Sequence, residues 1–151
     1  MTTKRVIRKQ HGFTLLESLF AAMLIGLVIT ALIASSAAFT MANAAGVDMS
    51  TAEFLIEEIR EKKATMEFAD IGIGDTGTYQ RVTHYTTPID MNGDELVDFD
   101  SFTQVVIVDP VSGTDFEPIA DLTSDFKKIT VRIRKNGQTI TEASWLRANL
   151  D

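Results

Sequence analysis

Hydrophobic and polar positions divide this chain into stretches of different period. From Ser18 to Val47, thirty consecutive residues carry no Asp, Glu, Lys or Arg, and Glu17 is the only charge between Phe13 and Asp48. Within that stretch Ser18–Phe39 is apolar on every face, long enough as a helix to cross a bilayer core of about 30 Å. A buried core helix is the other reading, but globular helices average only about 10–14 residues. Gly26 is tolerable here, since lipid-embedded helices accept Gly more readily than soluble ones. Farther on the pattern becomes one-sided. Ala52, Leu55, Ile56, Ile59 and Met66 recur at helical spacing, while Glu57, Glu58, Arg60, Glu61, Lys62 and Lys63 fill the other faces. Glu58 precedes Lys62 by four residues, the favourable order for a surface pair. No proline occurs before Pro88, so the pattern predicts one helix from Phe13 to about Ala64, roughly 75 Å long. Its second half needs a partner surface. Gly72, Gly74 and Gly77 end the pattern.

The period then changes to two. Thr78–Thr86 and Phe102–Asp109 are rich in β-branched and aromatic residues, which suit strands. Ile129, Val131 and Ile133 alternate with Thr130, Arg132 and Arg134, the pattern of a half-buried strand. Asn136-Gly137 follows, the strongest short hairpin signal, and Gln138–Leu146 returns as the partner strand. A small antiparallel sheet laid on the amphipathic half of the helix gives an α+β fold. Three segments result: a leader over 1–12, an apolar helical half over 13–47 and a globular part over 48–151.

Charge sharpens this division. Four of the 14 Lys and Arg (Lys4, Arg5, Arg8, Lys9) stand in the first twelve residues, and all 21 acidic residues come later. The leader carries +4 and the remainder −11, within a net charge of −7. An acidic remainder argues against nucleic-acid binding, which needs clustered Lys and Arg to neutralise phosphates. Basic residues before the apolar run place the N-terminus in the cytoplasm and the bulk of the chain outside. The chain has no cysteine, which excludes disulfides and cysteine-ligated metal sites.

The chemistry concentrates at Arg8-Lys9-Gln10-His11-Gly12-Phe13-Thr14-Leu15-Leu16-Glu17. A secretory signal would be cut beyond the apolar run, near Ala42–Ala45, and would leave Glu17 unexplained. A carboxylate near the membrane core is costly unless paired, which makes Glu17 a functional candidate, the plain alternative being a side chain that snorkels to the headgroups. Cleavage between Gly12 and Phe13 would create an α-amino group four residues before it. A neighbouring subunit displaced along a common axis could bring its own Phe13 amine beside Glu17, setting the register of stacked subunits.

Gly12-Phe13-Thr14-Leu15-Leu16-Glu17 with the apolar run resembles the prepilin-type cleavage and methylation motif of type IV pilins and type II secretion pseudopilins. The resemblance implies cleavage after Gly12 by a prepilin peptidase, N-methylation of Phe13, and assembly of the apolar helices into a filament core through Glu17. Ser18 stands where that family commonly has an apolar residue. The hairpin from Phe126 to Leu146 looks like the C-terminal hairpin of minor pilins of the pilus-modification type and of minor pseudopilins. The partners implied are other pilin or pseudopilin subunits, the prepilin peptidase, the inner membrane and the assembly platform. The implied location is the bacterial inner membrane, with the C-terminal domain in the periplasm, and then the pilus or pseudopilus.

A second constellation is Asp90-Met91-Asn92-Gly93-Asp94-Glu95-Leu96-Val97-Asp98-Phe99-Asp100. Oxygen donors at alternate positions suit a hard cation. Asp90, Asn92, Asp94, the Leu96 carbonyl and Asp98 match the successive positions of a calcium loop. Asp100 stands one residue early, Ser101 occupies the place of the bidentate acid, and Glu95 stands where such loops have Gly. The alternatives are a bound Ca2+ and a bare acidic turn. With calcium the chain reads as a membrane-anchored or exported calcium-dependent binding module, the runner-up to a structural subunit. His11 and His84 lie far apart, no nucleophile elbow or phosphate loop is present, and Trp145 suits packing. The sequence offers no catalytic constellation, so the expectation is a protein that is not an enzyme.

Overall fold

The computed structural model describes residues 14–74 and 77–150. One helix, α1, spans Leu15–Thr65, with Glu17 in its first turn and Lys62 and Lys63 in its last, the charge order that the helix dipole favours. Four strands follow: β1 (Val82–Tyr85), β2 (Phe102–Pro110), β3 (Phe126–Lys135) and β4 (Gln138–Ala148). They form one antiparallel sheet in the order β1-β2-β3-β4. The α+β arrangement expected from the change of period is present, with a pilin-like order of elements. The chain divides into two compact units, Met1–Ala44 and Ala45–Asp151, and α1 contributes to both.

In the second unit the amphipathic face of the helix meets the sheet. Ala52, Leu55, Ile56 and Ile59 are buried in one cluster with Ile71, Ile89, Phe102, Val106, Val108, Ile129, Val131 and Ile133. Register explains the choice. Val106 opposes Val131, which opposes Ala143; Val108 opposes Ile129, which opposes Trp145. Alternate residues of each strand therefore share one face, the consequence of a period of two. Trp145 packs against this cluster, as its composition suggested. The fifth position of the helical stripe differs from expectation. Met66 lies one residue past the helix and is half-buried, and Lys63 takes the inward position, its Nζ 3.5 Å from Met66 Sδ. Burial pulls the Lys63 amine below its ordinary pKa, with Lys62 and Lys127 acting in the same direction.

Polar side chains join the layers. Gln104, on the inner face of β2, is fully buried. Its Nε2 donates to the Leu55 and Ile89 carbonyls, both at 3.1 Å, and its Oε1 accepts the Ile89 N–H at 2.8 Å. Lys127 reaches from β3 to the turn after α1 and donates to the Phe68 and Ile71 carbonyls at 2.7 and 2.8 Å. Burial lowers the pKa of that amine, and Asp70 partly opposes the shift. Arg147 of β4 donates to the Ala64 and Met66 carbonyls at the helix end. The bond to Ala64 supplies a partner for a carbonyl that the helix C-terminus leaves open, and the others hold the turn that follows.

Two turns depend on backbone conformation. Asn136 and Gly137 both have positive φ, 51° and 79°, the pair that a two-residue hairpin of matching twist requires. Gly72 has φ of 91°, and a Cβ there would lie 3.1 Å from both Tyr79 and Val108 side chains. That packing also explains a shorter β1 than the composition of Thr78–Thr86 suggested. Tyr79 folds back on Gly72, pairs with Ile73 in an isolated bridge and donates its hydroxyl to the Val108 carbonyl. Only Val82–Tyr85 remains in the ladder.

Replacing Gln104 by Leu strips partners from the Ile89 N–H and C=O in a dry interior. Such unsatisfied groups cost about 1–3 kcal/mol each. We expect Gln104→Leu to lower the unfolding free energy by about 2–4 kcal/mol in denaturant titrations of the full chain. A loss below about 0.5 kcal/mol would show that the amide is not a structural joint.

Candidate assembly site

The N-terminal half of α1 begins with a cap. Thr14 stands just before the helix, and its Oγ1 accepts the Glu17 N–H at 3.3 Å. A threonine followed three residues later by a glutamate is a helix-start signature, so Thr14 is a functional position that its spacing to Glu17 signals. Capping fixes where the helix starts, and so places the Glu17 carboxylate in its first turn. Glu17 is exposed, and among the described residues no Lys or Arg of this chain pairs with it. Gly12 and Phe13, the expected cleavage and methylation positions, lie outside the described residues.

Past Glu17 the helix surface is apolar and uncovered. The most apolar window has no buried residue, although Leu15, Leu19, Phe20, Met23 and Leu24 all lie in this stretch. This is not the environment of a core helix. Twelve large apolar side chains between Leu15 and Ile33 stand open. Leaving each in water forfeits about 1.5–3 kcal/mol, so together they exceed the roughly 5–15 kcal/mol margin of a folded domain. An apolar surrounding, lipid or protein, is required.

Two threonine hydroxyls of this half of the helix suit such a surrounding. Thr30 Oγ1 donates within the helix, to the carbonyls of Gly26 at 3.1 Å and Leu27 at 2.9 Å. Thr40 does the same to Ser36 at 3.0 Å. Their hydroxyls need no water, which suits a medium where every polar group must be satisfied internally. Gly26 has nothing near its Cα face, leaving a shallow notch on the rod.

Residues 7–33 match the prokaryotic N-terminal methylation motif. The chain carries a prepilin-type methylation motif. That match supports the type IV pilin and pseudopilin family and a structural, filament-forming role. It implies assembly of this pilin-like chain with other pilin subunits and processing by a prepilin peptidase. The apolar helix fits anchoring in a membrane before entry into a pilus. Neither the curated proteins nor the solved structures give a match to the chain.

The acidic loop has its own geometry. Asp90 Oδ1 accepts the N–H groups of Asn92 and Asp94, each at 2.8 Å, and its Oδ2 accepts from the Asn92 side-chain amide at 3.3 Å. The Asp90 N–H donates to the Asp94 carbonyl and the Gly93 N–H to the Asp90 carbonyl, at 2.9 and 3.0 Å. The Leu96 carbonyl accepts the Phe99 N–H at 3.0 Å, as a one-turn 3-10 helix begins. Asp98 sits inside that turn and Asp100 just after it. Asp90, Asn92 and Asp94 thus come together around one carboxylate, whereas Leu96, Asp98 and Asp100 serve the next turn. Among the described residues no three His, Cys, Asp or Glu side chains gather as a metal site. Glu58 of α1 accepts the Met91 N–H at 2.8 Å, which ties the loop to the helix. No sequence signal linked Glu58 to residue 91, since the contact is long-range.

The Asp90 carboxyl lies below its ordinary pKa, chiefly because the Asp94 N–H bonds its charged form, with Asn92 and Gly93 adding to this against a smaller opposing effect of burial. The native state then binds fewer protons than the unfolded state in the window just below the ordinary carboxylate value of about 4. Stability contributed by Asp90 is full above that value and is lost as pH falls through the lowered native one. Thermal scans between pH 6 and pH 2 should therefore show a smaller acid-induced fall in Tm for Asp90→Asn than for the unaltered chain. Parallel curves would assign the acid sensitivity to other carboxylates.

Proposed function

We propose that this chain is a minor structural subunit of a type IV pilus or a type II secretion pseudopilus. It enters the inner membrane as a precursor with residues 1–12 in the cytoplasm and the domain after Asp48 in the periplasm. Cleavage after Gly12 exposes the Phe13 amine, which is N-methylated. The observation that carries the reading is a helix surface left wholly apolar beneath a methylation motif, interrupted by the one carboxylate of Glu17.

The mechanism is mechanical. Lipid and neighbouring apolar helices offer the stretch similar surroundings, so moving a subunit sideways from bilayer to filament changes its apolar burial little. A carboxylate is different, because at the edge of an apolar span it is costly unless it is paired or reaches the headgroups. The Phe13 amine of a neighbour displaced along the axis offers Glu17 a counter-charge where screening is weak. Desolvation of both groups offsets part of the gain, so the pair selects register more than it adds cohesion. The absence of cysteine supports a minor subunit, since abundant pilins often close their C-terminal region with a disulfide.

Membrane insertion depends on the apolar length and incorporation on the carboxylate, so the two separate by mutation. Glu17→Leu should insert normally, by membrane fractionation, and fail to enter sheared filaments. Normal incorporation would remove the register role. Mass analysis of the mature polypeptide should find it beginning at a methylated Phe13; a start near Ala45 would instead make the chain an exported protein.

A further inference from the structure

Two Asn-Gly pairs stand on exposed turns, Asn92-Gly93 in the acidic loop and Asn136-Gly137 between β3 and β4. Asparagine before glycine is chemically labile, because glycine has no Cβ to hinder attack by its own amide nitrogen on the side-chain carbonyl carbon one residue back. By sequence the two pairs are alike. The turns that hold them are not.

At Asn92 the reacting groups are held. The side-chain amide donates to Asp90 Oδ2 at 3.3 Å, and the Gly93 N–H donates to the Asp90 carbonyl at 3.0 Å. Asp90 Oδ1 also fixes the main chain through the N–H groups of Asn92 and Asp94. Lys62 covers the turn from α1, its Nζ 2.7 Å from the place a Gly93 Cβ would take. An N–H already bonded to an acceptor is harder to deprotonate, and a bonded amide is harder to turn. At Asn136 the same groups are open. Among the described residues its side chain makes no hydrogen bond and the Gly137 N–H meets no acceptor. Nothing lies within 4 Å of a Cβ built at Gly137. The side-chain bond to this turn, from Arg134 Nη2 to the Gly137 carbonyl at 2.6 Å, falls on the next peptide. Each turn has one cation beside it, Lys62 or Arg134, so charge does not separate them.

We propose that Asn136 is a self-modifying site, which deamidates in the folded chain while its own turn protects Asn92. The Gly137 nitrogen gives up its proton and attacks Asn136 Cγ. The new N–C bond closes a five-membered imide, and the side-chain nitrogen leaves with that proton as ammonia. Water then opens one of the two ring C–N bonds, giving aspartate from one and isoaspartate from the other. Either product adds a negative charge. Isoaspartate also adds a main-chain carbon to a two-residue turn whose length fixes the register of β3 on β4. Lys135, the residue before, holds Asp48 of α1 at 2.6 Å, so the change falls beside a joint between helix and sheet. This assignment is independent of how the apolar helix is used.

The experiment incubates the full chain in a zwitterionic detergent at mildly alkaline pH and follows it by peptide mass mapping, with an isoaspartyl methyltransferase to count isoaspartate. The Asn136 peptide should gain about one mass unit, about tenfold or more faster than the Asn92 peptide, because two hydrogen bonds must break at Asn92. In guanidinium chloride the two rates should converge, since both residues precede glycine. Asp90→Ala, with its fold checked by circular dichroism, should raise the Asn92 rate about tenfold and leave Asn136 unchanged. Equal rates in the folded chain, a faster Asn92, or an Asn136 still intact once the denatured control has reacted would each overturn the proposal. So would rates that stay tenfold apart in denaturant, which would assign the difference to local sequence, or a folded Asp90→Ala whose Asn92 remains slow.

Discussion

One buried amide holds the globular unit in its arrangement. Gln104 projects from the middle of the sheet into an otherwise apolar interior and meets three main-chain groups, one on the helix and two on the loop that follows β1. Apolar burial alone is nonspecific and would let α1 slide or turn on the sheet. A buried amide that reaches its partners in one position removes that freedom, since any shift leaves polar groups unpaired in a dry site. Around this joint Ala52, Leu55, Ile56 and Ile59 find their places against Val106, Val131 and Ile133. Arg147 then bonds the end of the helix and Lys127 the turn that follows it, so that the sheet holds α1 at Leu55 and at its C-terminus.

The two halves of the helix differ in what covers them. Its later turns carry an apolar stripe and are covered by their own chain; its earlier turns are apolar all round and carry no cover. Self-sufficient hydroxyls at Thr30 and Thr40, and a helix start capped by Thr14 just ahead of the Glu17 carboxylate, suit a helix whose surroundings are apolar. The methylation motif over residues 7–33 agrees with that use. The globular unit meanwhile spends its polar groups on structure: Asp90 and Glu58 satisfy main-chain N–H groups, and Lys127 and Arg147 satisfy carbonyls.

Much of this was legible because it is local. A run without charge, a change of period from 3.6 to 2 and an Asn-Gly pair each act through neighbours in sequence, and α1, β2, β3 and the β3–β4 turn followed from them. Strand lengths were less legible where side chains compete with the ladder. Tyr79 has strand composition, yet packing on Gly72 takes it out of register with β1. The role of Thr14 is legible in its spacing to Glu17, which is a cap signal. Lys63 was not, because a lysine on an inward position is decided by what lies opposite it. The acidic loop shows the same division: alternate oxygens could be read from the chain, but the choice of Asp90 as a main-chain acceptor and of Leu96 as the start of a 3-10 turn could not.

The sequence by itself determined the helix, its two characters, the α+β order and the motif at Gly12, Phe13 and Glu17, because periodicity, charge and spacing are properties of adjacent residues. Only the tertiary structure decided that Gln104 is the joint, that Arg147 finishes the helix and Lys127 holds the turn after it, that Glu58 holds residue 91, and that β1 is short. Each of these depends on which groups meet across 15 to 83 residues of chain. Such meetings are fixed by the packing of layers, and a polar group's role is set by the partner that packing brings to it.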